Sequence, residues 1–482
     1  MTKPEAPTEK LPLTQTLAFG VGNMANQIFD GGIQYIVLQV FNLSLGVNPF
    51  LVGLAQSVAR GVDLFTDPLA GYLSDTLRYR FGLRFYLAVG SLVGGVFFAL
   101  IWMFPLGLSP TAYFAWLLVG FSITMIGWSF FSVPRAALGI EMTTEPYERA
   151  KLMTISGFMA IFCNFCLCWA YAATQLRIFG GTINGARWVG GAMGVGILVF
   201  GLISAFCCPG GKPIPKKALP AVDQKRVPGM GDFGAAVKRV AKCRPFMLLA
   251  TSFAIIQIGL VSADCGLLPC IIIYHVCGGS QVRGSIVLGA VATSWLVAAL
   301  AVSAPVLWIS ERIGKKETVL LFLSMTLAGS SMRWFFYNPA LPYLVIIPFA
   351  LYGCGTGAFF LLAPSMTADT CDLEESVSGA CDSGMFSAFF YWMNKLGTSL
   401  GTVATGLLMN LTGFSVIRGA NLSHQTIFWM KLVDSAVPTL GIVIGMIMVL
   451  RYPLTAKRMV SVRAALQQRR APPAALEGMA QT

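Results

Sequence analysis

Residues 209–244 read PGGKPIPKKALPAVDQKRVPGMGDFGAAVKRVAKCR, rich in proline, glycine and lysine and free of any spanning segment. Long apolar runs flank this stretch on both sides. Spanning a bilayer takes about 20 apolar residues per helix. That ruler finds six candidate spans before the stretch, at 16–41, 50–75, 85–107, 110–140, 151–178 and 187–208. It finds six more after it, at 245–274, 284–310, 317–336, 341–368, 384–411 and 426–451. The stretch therefore divides an N-terminal six-helix bundle (1–208) from a C-terminal one (245–451), with 209–244 as middle loop and 452–482 as tail. Within the loop, DFGAAVKRVAKC suits a short amphipathic helix at the surface. The expected fold is an all-α polytopic membrane protein with twelve transmembrane helices in two pseudo-symmetric bundles.

Composition points the same way. Apolar residues make up 56% of the 482 and charged residues 11%, against about 25% charged in soluble domains. The net charge of +13 raises the question of nucleic acid. Basic residues, however, fall in short segments between apolar runs, such as Arg78, Arg80 and Arg84, or Arg312, Lys315 and Lys316. That is the positive-inside pattern of a membrane protein, and it excludes a nucleic-acid-reading face. An even number of spans places both termini on one side, together with the basic loops, so that side is expected to be cytoplasmic. CNFCLC (163–168) has the CxxC spacing of a metal site, but the chain has only two histidines, and helix packing accounts for these thiols better. No metal or cofactor is expected beyond a coupling ion.

The two halves echo one another. TLRYRFGLR follows the second span and WISERIGKK the eighth, each a basic turn at a helix end. Ionisable residues inside spans are costly and usually functional. The second span carries ARGVDLFTDPLAGYLSD (59–75), with Asp63 and Asp67 at i, i+4 and Thr66 beside them. That spacing stacks both carboxylates on one helix face. A small monovalent cation or a proton between them relieves the repulsion, and hard oxygen donors suit Na⁺, Li⁺ or H⁺. The alternative is a salt bridge to a lysine or arginine of a neighbouring helix, with no ion bound.

MFSAFFYWMNKLGTSLG (385–401) places Lys395 mid-span, where it needs a carboxylate partner. Asp63 and Asp67 are the best candidates. A lysine in that position competes with a cation for the same oxygens. Arg60, one turn before Asp63, either pairs with it or closes the far side of a cavity. The first span presents Asn23, Asn26, Gln27 and Asp30 as a polar stripe toward a central cavity. Arg135 is either a partner for Asp30 or part of a network at the basic end. Phe360 and Tyr391 are candidates for lining the cavity. MTADTCDLEESVSGACDSG (366–384) sets Asp369, Asp372 and Glu375 at a helix end, opposite Arg149 and Lys151 of TTEPYERAKL. A charge pair between these segments makes a gate that forms when the basic end closes.

Taken with VPRAALGIEMTTEPYERAKL (133–152) and the tail RYPLTAKRMVSVRAALQQRR (451–470), these stretches resemble the glycoside–pentoside–hexuronide:cation symporters of the major facilitator superfamily over essentially the whole chain. The resemblance implies a monomeric secondary transporter in a bacterial inner membrane and no enzymatic activity. It implies symport of a glycoside, oligosaccharide or uronide with Na⁺ or H⁺. It places the cation site at Asp63, Thr66, Asp67 and Ser129, although Thr66 stands where the family pattern has asparagine. It places the coupling lysine at Lys395 and the gate at Arg149, Asp369, Asp372 and Glu375. Two carboxylates that grip sugar hydroxyls in that family fall on Gln27 and Ser132, so the substrate cavity is less acidic at those positions. That depletion leaves room for an alternative cargo, an amphiphile such as a lysophospholipid.

Overall fold

The computed structural model describes residues 11–143, 145–209, 240–378, 383–414, 422–455 and 458–462. The middle loop between 210 and 239 and most of the tail thus lie outside the described residues. Every regular element among the described residues is a helix, and twelve of these are 21 to 33 residues long. They are α1 Leu13–Leu38, α2 Pro49–Thr76, α3 Arg78–Trp102, α4 Pro110–Glu141, α5 Pro146–Cys168 and α6 Thr182–Cys207 in the first half. The second half holds α7 Arg244–Asp264, α8 Gln281–Ala301, α9 Lys315–Phe336, α10 Ile346–Ser378, α11 Ser383–Leu411 and α12 His424–Leu450.

Lipid offers no partner for a backbone N–H or C=O, so apolar segments of this length pair their backbone internally as helices. Local residues mark the starts. Asn48 caps α2 by accepting from the Phe50 amide at 2.9 Å, with Pro49 in the first position. Ser109, Ser280 and Ser423 cap α4, α8 and α12 in the same way. Among the described residues nine helices are long and apolar enough to cross a membrane. The long helices that fall short of that test are α1, α2 and α11, and they carry the polar groups of the site described below.

The packing repeats after six helices. α3 packs on α4 and α6, α2 on α4, and α1 on α5 and α6. Likewise α9 packs on α10 and α12, α8 on α10, and α7 on α11 and α12. Small residues allow the close approaches, as where a Cβ on Gly127 of α4 would come within 2.5 Å of the Gly94 backbone of α3. The repeat extends to irregular features. A π-helical turn closes the first span of each half, Gln39–Ser44 directly after α1 and Ile271–Val276 after a short helix, Leu267–Cys270, that follows α7. A left-handed glycine kinks the start of α3 at Gly82 (φ 67°), and another, Gly314 (φ 98°), bends the chain just before α9. Two residues after each glycine, a basic side chain caps the last helix of its half. Arg84 donates to the Cys208 carbonyl at 2.7 Å, and Lys316 to the Leu450 carbonyl at 2.8 Å.

The halves meet chiefly through α2 against α11 and α5 against α8. We call the end where α1 begins the near end and the opposite end the far end. At the far end the halves are closed together. A Cβ on Gly53 of α2 would sit 2.4 Å from the Thr402 carbonyl oxygen, and one on Gly406 of α11 would sit 2.4 Å from Phe50 Cα. Asn410 donates to Asn48 at 3.0 Å, and Thr182 to Gln281 at 3.1 Å.

Candidate cation and substrate site

The α2–α11 seam brings Lys395 to the two aspartates. Its ammonium lies 2.5 Å from Asp63 Oδ2 and 2.5 Å from Asp67 Oδ2. Ser129 of α4 donates to Asp63 Oδ1 at 2.7 Å, and Thr66 Oγ1 stands 2.7 Å from Ser129 Oγ. Asp63 and Ser129 are buried, whereas 31% of the Asp67 side chain stays open. Asp67 Oδ1 is a buried oxygen without a hydrogen-bond partner among the described residues. The four oxygen-bearing side chains thus come together on α2 and α4, with one carboxylate oxygen to spare. Two carboxylates and one ammonium leave this seat a single charge short of neutral.

Arg60 is explained by a different partner. Its Nη2 lies 2.8 Å from Asp30 Oδ1 on α1, so it bridges α2 and α1. Arg135 does not reach Asp30. It donates to the Phe19 carbonyl and to Ser156 Oγ, each at 3.1 Å, and lies over the Phe19 ring. That makes it a tie between α4, α1 and α5.

Between the halves is a cavity of about 430 Å³. Gln27, Asp30, Gln34, Arg60, Trp128 and Asn164 line it from the first half, and Gln257, Asp264, Trp295, Phe360, Asn394 and Lys395 from the second. Lys395 belongs to both cavity and seat, so the two are contiguous. Of the residues expected here from sequence, Gln27, Asp30 and Phe360 line the cavity. Asn23, Asn26, Ser132 and Tyr391 do not. Asn23 instead donates to the Ser156 carbonyl at 3.1 Å, and Asn26 accepts from Trp128 Nε1 at 3.1 Å. Both serve helix packing, because the α1 stripe is wider than the face that meets the cavity. Ser132 lies on α4 past Ser129 toward the near end, and Tyr391, one turn before Lys395, is 58% exposed.

A second ionic cluster lies in the C-terminal half, on residues the sequence reading did not single out. Arg333 of α9 is fully buried, with Nη1 2.7 Å from Asp264 Oδ1 of α7 and 3.9 Å from Asp434 Oδ2 of α12. Tyr352 donates to Asp264 Oδ2 at 2.8 Å, and Tyr337 donates to Asp434. The guanidinium also lies over the Phe349 and Tyr352 rings. The available signal was an ionisable residue inside each of three apolar runs, the same signal that marked Lys395.

At the near end, Arg149 donates to the Ile140 and Thr143 carbonyls at 3.1 and 3.0 Å. Asp369 accepts from Lys315 at 2.6 Å. Each thus takes a partner within its own half.

The sequence profile described as MFS/sugar transport protein matches residues 18–456. The chain belongs to that family. It is a transporter of the major facilitator type and not an enzyme. An uncharacterized symporter of Synechocystis is 23% identical, over 96% of this chain and 98% of that protein. The isoprimeverose transporter of Lactiplantibacillus pentosus is 23% identical over 84% of this chain and 81% of its own length. A glucuronide carrier protein homolog of Escherichia coli is 20% identical over 96% and 97%. Among solved structures, a D-xylose-proton symporter aligns with a TM-score of 0.62 at 13% identity, covering 90% of this chain and 96% of that one. That likeness supports the fold.

Proposed function

We propose that this protein carries a glycoside across a bacterial inner membrane, coupled to a monovalent cation, by alternating access. The observation that carries the reading is Lys395 seated 2.5 Å from both Asp63 and Asp67, in the wall of a cavity between two six-helix halves. The ammonium stands where a coupling cation would bind. Asp63, Thr66, Asp67 and Ser129 supply the oxygen donors for Na⁺, Li⁺ or H⁺. Entry of the cation frees Lys395, loosens one α2–α11 contact and readies the cavity for substrate. By linkage, substrate raises cation affinity by the same factor.

The near end is assigned to the cytoplasm, from the basic loops clustered there. The far-end closure then makes this the inward-facing form, with Arg149 and the Asp369–Glu375 segment apart in function until the near end shuts. The cargo reading follows the cavity wall. Gln27, Gln34, Asn164, Gln257 and Asn394 match hydroxyls better than an acyl chain, which favours a sugar over a lysolipid. The family match and the names of the relatives agree.

The test is thermal stability of the purified protein in Na⁺, Li⁺ and varied pH, crossed with glycosides, uronides and lysolipids. A ligand of the folded state raises apparent stability by mass action. A joint shift with one cation and one glycoside exceeding the sum of the separate shifts is expected. Stabilisation by lysolipids alone, with no cation effect, contradicts the proposal.

A further inference from the structure

We propose that Asp264 is the carboxylate by which the C-terminal half grips its substrate, and that this substrate is an uncharged polyol rather than a uronate. The inference rests on the glycoside reading above and narrows it.

The two acids around Arg333 differ in what they face. Asp434 is wholly buried, while 26% of the Asp264 side chain is open, and it opens onto the cavity. Burying an arginine calls for one carboxylate, and Asp434 is available inside the bundle. Asp264 receives the shorter bond, 2.7 Å against 3.9 Å, and a second from Tyr352 at 2.8 Å. Each of its oxygens holds one fixed donor and retains acceptor capacity. A carboxylate held on one oxygen by an arginine N–H and on the other by a phenol keeps one orientation, as a site that must recognise a shape requires.

The opposite wall repeats the device. Asp30 on α1 is fixed by Arg60 at 2.8 Å and keeps 45% of its side chain open. α1 and α7 are the first helices of the two halves, so each half offers one arginine-anchored carboxylate to the space between them. Two such acceptors lining one cavity from the two halves suit a molecule that presents several hydroxyls.

Charge then selects against an acid. Asp30 and Asp264 line the cavity, Asp63 and Asp67 adjoin it and Asp434 lies buried beside Arg333, against Arg60 and Lys395 in the wall and the buried Arg333. Each of those bases already has a carboxylate partner. With one coupling cation bound, acids still exceed bases. A uronate entering this low-dielectric space meets like charges, and the one base that a coupling cation releases, Lys395, stays beside Asp63 and Asp67. The matching neutral glycoside loses nothing.

The experiment measures binding to the purified full-length protein, at saturating Na⁺ and again at acid pH, of matched pairs differing only at C6: methyl β-glucoside with methyl β-glucuronide, and methyl β-galactoside with methyl β-galacturonide. Isoprimeverose is added as a neutral disaccharide. The neutral member is expected to bind at least about tenfold tighter. Asp264→Asn is expected to weaken neutral binding by about tenfold and to narrow the gap to the uronate. Its cation-dependent thermal shift, which depends on Asp63 and Asp67, reports that the variant is folded. If that shift is lost, Tyr352→Phe serves instead, with a several-fold loss of neutral binding expected. A uronate binding tighter than its neutral match overturns the proposal. So does wild-type glycoside affinity in Asp264→Asn, or in Tyr352→Phe where it is the variant used. If cations shift stability but no glycoside or uronide binds, the glycoside reading itself falls, and this inference with it.

Discussion

Lys395 and Asp63 stand 332 positions apart in the chain and 2.5 Å apart in the fold. The bond joins the two halves and sets a tethered ammonium in the proposed cation seat. Under the proposed coupling, loading of the seat and release of an inter-half contact are one event.

Asp67 holds the exposed side of the seat and the spare oxygen. Asp67→Asn is expected to abolish cation-driven uptake in vesicles and the cation-dependent rise in melting temperature. Na⁺- or H⁺-stimulated uptake at wild-type rates in this variant contradicts the assignment.

Lys395→Met removes the competitor and leaves two acids face to face. Stability without added cation should fall by about 2–3 kcal/mol, less than a fully buried pair because the site is partly open. Added Na⁺ or Li⁺ should restore more stability than it adds to the wild type. Melting curves with and without cation decide this, and equal shifts in both proteins count against competition.

Ser129→Ala deletes a buried donor to Asp63 without changing charge. A loss of about 1–3 kcal/mol in folded stability is expected, with weaker cation affinity as its functional counterpart. Titration of the thermal shift against cation concentration separates the two effects.

Gly53→Val and Gly406→Val test the far-end closure. In each case the new side chain meets backbone at 2.4 Å, which cannot give way cheaply. Both variants should keep the cation-dependent thermal shift and lose transport, with far-end residues becoming more reactive to aqueous thiol reagents when replaced by cysteine. Normal uptake by either variant would show that the α2–α11 seam need not close.

The sequence carried the fold because spanning length and the basic middle segment are local properties. Asp63 and Asp67 were legible for the same reason: helical periodicity alone puts residues four apart on one face. Arg60, Asp264, Arg333 and Asp434 were not, because their partners come from other helices. Asp30 with Arg60, or Asp264 with Arg333, is a matter of how helices rotate and cross, which periodicity does not encode. The α1 stripe shows the same limit, since Asn23 and Gln27 look alike in sequence yet one faces α5 and the other the cavity.

The seat also determines which step of the cycle responds to membrane voltage. With two carboxylates and one ammonium it sums to −1 when empty, and to zero once a monovalent cation enters. Moving one elementary charge through the full field is worth about 2.3 kcal/mol per 100 mV. The loaded rearrangement is then electrically silent at this site. The empty return carries a negative charge outward, which an inside-negative potential favours. Under the proposed coupling, voltage thus acts on the resetting stroke, and through it adds to the ion gradient that drives the cargo.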